Sequence, residues 1–445
     1  MSEQFSDLIQ EVVNADDPID QESLSHKIAV QDVIDIALLL ESLPLEQRLS
    51  IWHTLPRHKR LEVLVEMRGD PREVLLEATS DEDLDELFND IDAETLLELS
   101  DSMSSKLIDK AVDAMDKKQQ LHFAGANQYS EEQIGHWGNR DNLILPLTAK
   151  VSDAKRFLRR EVPTYTDCIY LVNRAGQFSE AVKLFKIYST PDHTPLVDLA
   201  EEDISAIKAS EECASAALTV QRSGYTSLPL VDDEYRFLGR VDIGAASELM
   251  NEFYERQLMA GAGMDEDEDL FSPVRKSARN RALWLGINLL TAFLASWFIG
   301  LFEVTLQQVV ALAVLMPVVA SMGGIAGSQT LTLIIRGLAL GQVTSANLKA
   351  LMIKELKVGG LNGVIWAIVI ATVASFWFES AMLGIVIGIA ILINICAAAL
   401  AGVGVPVMLD KLKLDPALSG SVVLTTVTDI VGFVAFLGLG SIFLV

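Results

Sequence analysis

The sequence predicts an α-helical membrane protein with five transmembrane helices, preceded by a cytosolic all-α superhelical domain and an α/β tandem module. Three observations predict it. Residues 1–281 hold nearly all the charge, and residues 282–445 hold long uncharged runs. A twelve-residue beat runs through the first 120 residues. Between residues 141 and 250, an order of helix, strand, turn, strand, helix occurs twice.

The first element is an acidic helical domain over 1–125. "LPLEQRL" at 43–49 and "LPRHKRL" at 55–61 align at a spacing of twelve, and Leu84, Leu96 and Ile108 carry the beat onward. Proline after leucine suits the first position of a new helix. Twelve residues make one short helix and its turn, and stacked units bury a shared apolar face.

The second element is the tandem module over 126–243. "DCIYLVNRAGQF" and "SLPLVDDEYRFLGRVDI" each read as two apolar runs about a polar turn. The second copy resembles a CBS motif through Gly224, Pro229, Val231, Asp232 and Gly239. CBS pairs often hold adenine nucleotides through a Thr or Ser followed three residues on by Asp. Here Asp242 and Ala245, and in the first copy Lys183 and Lys186, stand in those places, so nucleotide binding is disfavoured. A polar connecting helix and the acidic hinge "DEDEDL" fill 244–270.

The third element is the membrane domain over 271–445. Spans are expected at 282–302, 304–335, 358–378, 380–409 and 416–445, with the second broken near Pro317 and Gly323–Gly324. Arg275, Lys276, Arg279 and Arg281 precede the first span. Lys349, Lys354 and Lys357 lie between the second and third, and Lys411 and Lys413 between the fourth and fifth. The other two loops carry only Glu303 and Glu379. By the positive-inside rule the N-terminus and residues 1–281 are cytosolic and the C-terminus lies outside, the host being the inner (cytoplasmic) membrane. No basic n-region with an apolar h-region opens the chain.

The formal net charge of −26, from 61 acids and 35 bases, argues against a nucleic-acid partner and fits a region that attracts cations. Three cysteines without a CxxC, and six histidines without an HxxxH, exclude a disulfide framework and a zinc motif. No nucleophile–base pair or P-loop points to an enzyme.

Within the spans the informative residues are polar. Asp429 is the only charge in the fifth, sharing a helix face with Thr425 and Gly432 and flanked by Thr426. An intramembrane acid with no Lys or Arg at its depth must be protonated, face water or bind a cation. The second span places Gly324, Ile325, Ser328 and Gln329 among further hydroxyls. This reads as pore lining, or as small-residue helix packing. Asn394 in the fourth span reads as an interhelical hydrogen bond or as a pore ligand.

"PVVASMGGIAGSQTLTLIIRGLALG", "DPALSGSVVLTTVTD" and the junction "LMAGAGMDEDEDLFSPV" together resemble the MgtE family of magnesium transporters, and the likeness spans nearly the whole chain. The resemblance implies a homodimer in the bilayer, conducting Mg2+ through a pore on its two-fold axis, with Asp429 as the metal-binding residue. It implies gating by cytosolic Mg2+ on acidic surfaces. The candidates are Asp81, Asp83, Asp85, Asp90 and Asp92 of the first domain and Glu248, Glu252 and Glu255 of the connecting helix. Two departures stand out: the family usually has Asn where Ile325 stands and Pro where Val422 stands. Two competing readings are a proton-coupled transporter of Mg2+, Mn2+ or Co2+ with Asp429 as the carrier, and a CBS metabolite sensor on a membrane anchor.

Overall fold

The structure, a computed structural model, describes residues 9–12, 27–28, 30–89, 91–159, 162–163, 166–201, 203–264, 268 and 270–445. It divides into two compact units, one comprising 1–254 and 267–274 and the other 255–266 and 275–445.

The N-terminal part of the first unit is built on the twelve-residue beat. Its helices are α1 (Val33–Glu41), α2 (Leu45–Thr54), α3 (Arg57–Glu66), α4 (Gly69–Ala78), α5 (Asp81–Phe88), α6 (Ala93–Leu99), α7 (Ser105–Ala114) and α8 (Lys117–Ala126), each starting twelve residues after the last. Pro44 and Pro56 occupy the N-cap rather than the first helical position, a one-residue difference. The apolar positions Leu40, Trp52, Leu64, Leu76, Phe88 and Leu99 join one core.

A second series repeats at the same spacing. Arg48, Arg60 and Arg72 are buried, at 1%, 6% and 6% exposure. Their Nε groups donate to Leu40 O at 2.8 Å, Leu55 O at 3.2 Å and Met67 O at 2.9 Å. Arg60 Nη2 also reaches His53 O at 3.1 Å. Each guanidinium therefore donates to carbonyls at the C-terminal end of the preceding helix, Leu40 O sharing its acceptor sites with Leu43 N at 3.3 Å.

The following module contains β1 (Ile144–Pro146), β2 (Cys168–Val172) and β3 (Phe178–Lys183) in one sheet, and β4 (Ile207–Lys208), β5 (Ser227–Val231) and β6 (Phe237–Asp242) in another. In each, the first pair is parallel and the second antiparallel, with a register shift at the same place, Leu171/Val172 and Leu230/Val231. Asn173 and Asp232 close equivalent turns by accepting from Gln177 N and Arg236 N. Gly224, at φ +75°, ends the helix Cys213–Ser223 in the left-handed conformation. Tyr170, Phe178 and Phe237 join the two halves, and the Tyr170 hydroxyl meets Ser227 Oγ at 2.8 Å. The connecting helix runs Ile243–Gly261.

Five helices of the second unit are long and apolar enough to cross a membrane: Val274–Gly300, Val310–Ala339, Leu348–Trp377, Ala381–Lys411 and Pro416–Phe443. With the N-terminal and tandem modules, they make a multi-pass membrane protein. The second span is not broken at Pro317 or Gly323–Gly324 as the sequence suggested. It is one continuous helix, and the chain breaks before it at Val309, after a short helix Glu303–Gln308. In lipid an unwound segment strands backbone polar groups, so the helix absorbs one proline and keeps its remaining hydrogen bonds. The third span starts ten residues earlier than expected, bringing Lys349, Lys354, Glu355 and Lys357 into the helix.

The second to fifth spans pack around the fourth, where glycines remove the side chains that would collide. A Cβ on Gly359 would stand 2.9 Å from Ala399 Cβ, and one on Gly402 would stand 2.7 Å from Thr330 Cβ. The first span differs: Ala295 is its only buried residue.

Candidate functional site

The second span buries Leu312, Leu315, Val319, Gly323, Gly327, Leu331 and Ile334 at three- and four-residue spacing. The opposite face therefore carries Ser321, Ile325, Ser328 and Thr332. On the fifth span, burial of Gly420, Leu424, Thr428 and Gly432 leaves Thr425 and Asp429 one turn apart on the other side. These faces meet in an open cavity, a surface groove of about 590 Å³, lined by Ala320, Ser321, Gly324, Ile325, Ser328, Gln329, Thr332, Thr425 and Asp429.

The lining has one charge, Asp429, and no cation. Thr425 and Thr332 donate their hydroxyls to Ser421 O and Ser328 O, leaving their oxygen lone pairs for the cavity. The Asp429 carboxyl, hydroxyl oxygens and the Gln329 amide form an oxygen-rich surface. That chemistry suits a hard divalent cation that keeps its water.

Six of the eight expected ion-path residues thus lie on the cavity: Gly324, Ile325, Ser328, Gln329, Thr425 and Asp429. Two do not. Thr426 is turned aside and donates to Val422 O at 2.8 Å. Asn394 is fully buried and donates to Val319 O at 2.9 Å, in a hole left by two glycines. A Cβ on Gly323 would come within 2.2 Å of its amide nitrogen, and one on Gly432 within 2.5 Å. Asn394 thus links the second and fourth spans through its amide nitrogen and does not line the cavity, while its Oδ1 is buried without a hydrogen-bond partner among the described residues. Ser321 and Thr332 are additions, and their spacing of four from Ile325 and Ser328 already marked them.

The candidate regulatory acids scatter. Asp83 meets Arg57 at 3.1 Å, Asp85 meets Lys110 at 2.9 Å, and Asp81 lies 4.0 Å from the same lysine. Asp92 caps α6 by accepting from Thr95 N. These contacts give Asp81, Asp83, Asp85 and Asp92 structural employment, and they do not converge on one point. Asp90 and most of the acidic hinge lie outside the described residues. Among the described residues no three Asp, Glu, His or Cys groups are close enough to chelate a bare metal ion.

A different set of acids does gather within the first unit. Desolvation raises the Glu94 carboxyl to about 7, Asp92, Asp242 and Asp141 add repulsion, and Arg240 opposes them. Glu248 is raised by desolvation and by Glu98, Glu66 and Asp242. Asp101 rises to about 6 through desolvation and its neighbour Glu131. Of the connecting-helix candidates, Glu248 joins this seam, while Glu252 and Glu255 have partners of their own. Helix spacing alone could not show which acids of the N-terminal helices face the tandem module. The nucleotide positions of the module are engaged internally. Lys186 pairs with Glu201 at 2.9 Å, Lys183 lies over the Tyr225 ring, and Asp242 accepts from Ala245 N.

Comparison with known proteins agrees with this architecture. The MgtE family model, described as a divalent cation transporter, matches residues 316–439. The model of the MgtE intracellular N domain matches residues 31–132. The magnesium transporter MgtE of Bacillus subtilis is 23% identical over 416 residues, covering 92% of this chain and 91% of that protein. That of Thermus thermophilus is 25% identical over 336 residues, covering 75% and 74%. Among solved structures, the cytosolic domain of the Mg2+ channel MgtE in complex with ATP matches with a TM-score of 0.46 and 19% identity, covering 54% of this chain and 98% of that one. A cystathionine β-synthase pair domain from Shewanella oneidensis is 33% identical, with a TM-score of 0.33, covering 38% and 98%.

Proposed function

We propose that this chain, which matches the MgtE and MgtE N-domain models and curated MgtE magnesium transporters, is a member of that family and carries Mg2+ across the inner membrane as a homodimer, with Asp429 as the ion's binding group. The observation that carries the reading is the position of Asp429. An acid in an otherwise apolar span faces a cavity of about 590 Å³ whose other lining groups are hydroxyls, an amide and small residues. Curated relatives covering most of the chain are magnesium transporters. Mg2+ gives up its water reluctantly, so a roomy anionic site that bonds to the hydration shell suits it.

The dimer is supported by what a single chain leaves uncovered. Ser321, Ile325, Ser328, Gln329, Thr332 and Thr425 are exposed on helices that must sit in lipid. A polar face there needs protein or water over it. A two-fold partner presents the same face, doubles the carboxylate and encloses the path. The first span, which buries only Ala295 in its own chain, has apolar surface available for the same assembly. Cytosolic Mg2+ then acts on the seam of Glu94, Asp242 and Glu248, where gathered carboxylates favour a hydrated divalent ion that closes the path when the cell is replete.

The test is divalent flux into liposomes holding the purified full chain, with internal Mg2+ varied. Wild-type protein takes up Mg2+ and slows as internal Mg2+ rises, while Asp429→Ala and Asp429→Asn fall to the lipid background. Full uptake by both variants refutes the role of Asp429. Uptake that follows an imposed pH gradient, and stops when it is collapsed, favours the proton-coupled alternative.

A further inference from the structure

Behind the cavity-lining face of the second span lies a buried acid near the start of the third span. The third span begins at Leu348, so Glu355 is its eighth residue and not a loop acid. Its side chain is 6% exposed. Thr330 Oγ1 donates to one carboxylate oxygen at 3.2 Å, and Lys354 Nζ pairs with the other. Thr330 is itself buried and sits between Gln329, which lines the cavity, and Leu331, which packs away from it. Gly402 of the fourth span makes the room, since any Cβ there would strike Thr330.

Burying a carboxylate at this depth is costly. Its effect on Thr330 shows what the charge accomplishes. A helical threonine ordinarily donates back to the carbonyl four residues earlier, which bends the helix. Thr332, on the cavity side, does so, donating to Ser328 O at 2.9 Å. Thr330 lies 3.5 Å from Ala326 O and nearer to Glu355. It has one proton, and a carboxylate is acceptor-only, so the charge draws that proton outward.

We propose that Glu355 is a positioning residue for ion passage: by holding the Thr330 hydroxyl from behind, it fixes the rotation and straightness of the second span where Ser328 and Gln329 face the ion. The inference rests on the reading of the Asp429 cavity as the ion path. It places a fixed anchor on the side of the pore helix opposite the ion, where neither lipid nor the transported cation reaches.

The experiment compares wild type, Thr330→Val, Thr330→Ser, Glu355→Gln and Glu355→Met as full chains in liposomes, reading Mg2+ flux and the Mg2+ to Co2+ flux ratio, with melting temperature in detergent as the control for folding. Thr330→Val, which keeps shape and deletes the donor, is expected to lower Mg2+ flux by about tenfold or more and to change the ratio, the loss of one charge-assisted hydrogen bond. Thr330→Ser should stay within about threefold of wild type, and Glu355→Gln, which keeps an acceptor without the charge, should fall between Thr330→Ser and Thr330→Val. Thr330→Val combined with Glu355→Met should be no worse than the poorer single variant, because the two share one bond. If Glu355→Met does not assemble, Thr330→Val, which leaves the Lys354 pair intact, decides the matter alone. Thr330→Val matching wild type in flux and ratio overturns the proposal, as does equal loss in Thr330→Ser. A conducting wild type with a silent Asp429→Ala locates such a failure in the anchor, while a wild type that passes no ion sinks the cavity reading and the anchor together.

Discussion

Two parts of the molecule bury charge on opposite terms. Arg48, Arg60 and Arg72 are sealed in the N-terminal helices, each turned onto backbone carbonyls at the end of a preceding helix. Asp429, in the fifth span, faces a cavity and receives no hydrogen bond from any described protein group. A buried ion needs compensation wherever it sits. In the arginine series the fold supplies it, so the charge serves structure. At Asp429 no described group supplies it, and on the proposed reading the carboxyl meets the transported ion.

If the arginines are structural, removing one should loosen the helix ends whose carbonyls it holds. Arg48→Ala leaves Leu40 O with only its backbone donors, and opens a hole beside Trp52 and Leu40 in a core where both are fully buried. The expected cost is about 3 kcal/mol in local stability, from lost hydrogen bonds to a charged donor and lost packing of its stem. Hydrogen exchange of residues 33–54 in the full chain should quicken by roughly a hundredfold at that cost. Unchanged exchange there would erase the contrast with Asp429.

The second prediction probes the wall between the two kinds of burial. Gly323 and Gly432 flank the Asn394 amide, which links the second and fourth spans beside the cavity. Gly323→Ala puts a methyl within 2.2 Å of that nitrogen. The helices must separate or the amide must leave Val319, at about 1–3 kcal/mol. Lower melting temperature with reduced Mg2+ flux is expected, and Gly324→Ala, with open space at its Cβ position, should melt as wild type does. Equal melting of both variants would show that Asn394 is no pin.

What the sequence disclosed follows the same division. Periodic features were legible. The beat of "LPLEQRL" and "LPRHKRL" placed the N-terminal helices, and the lone charge of "TVTDIVG" marked Asp429 before any geometry. The arginines shared that beat, at 48, 60 and 72, yet a reading that equates burial with apolar residues passes over them. Glu355 was missed because three lysines beside it made a helix start look like a loop. Asn394 could not be assigned a direction, since pin and pore ligand differ only in which helix face meets a neighbour. Asp81, Asp83 and Asp85 were candidates through the family resemblance, and the sequence could not show that Arg57 and Lys110, from other helices, lie beside them.

The acidic seam lies between the two extremes and gives the smallest effect. Desolvation, with help from Asp92, Asp242 and Asp141, lifts Glu94 from an ordinary 4.5 to about 7. Between those values the folded chain keeps a proton that the unfolded chain has released. The stability this group contributes is therefore full below the unfolded value and is lost as pH rises through about 7. Above that point the seam holds a carboxylate that Arg240 only partly offsets, and a hydrated divalent cation can stand where the proton stood. Added Mg2+ should then raise the melting temperature of the full chain at about pH 8 and do so less at about pH 5.5, where protons already occupy the seam. Glu94→Gln should flatten the pH dependence by a degree or two and shrink the Mg2+ increment. Identical pH profiles for wild type and Glu94→Gln would place the regulatory ion elsewhere.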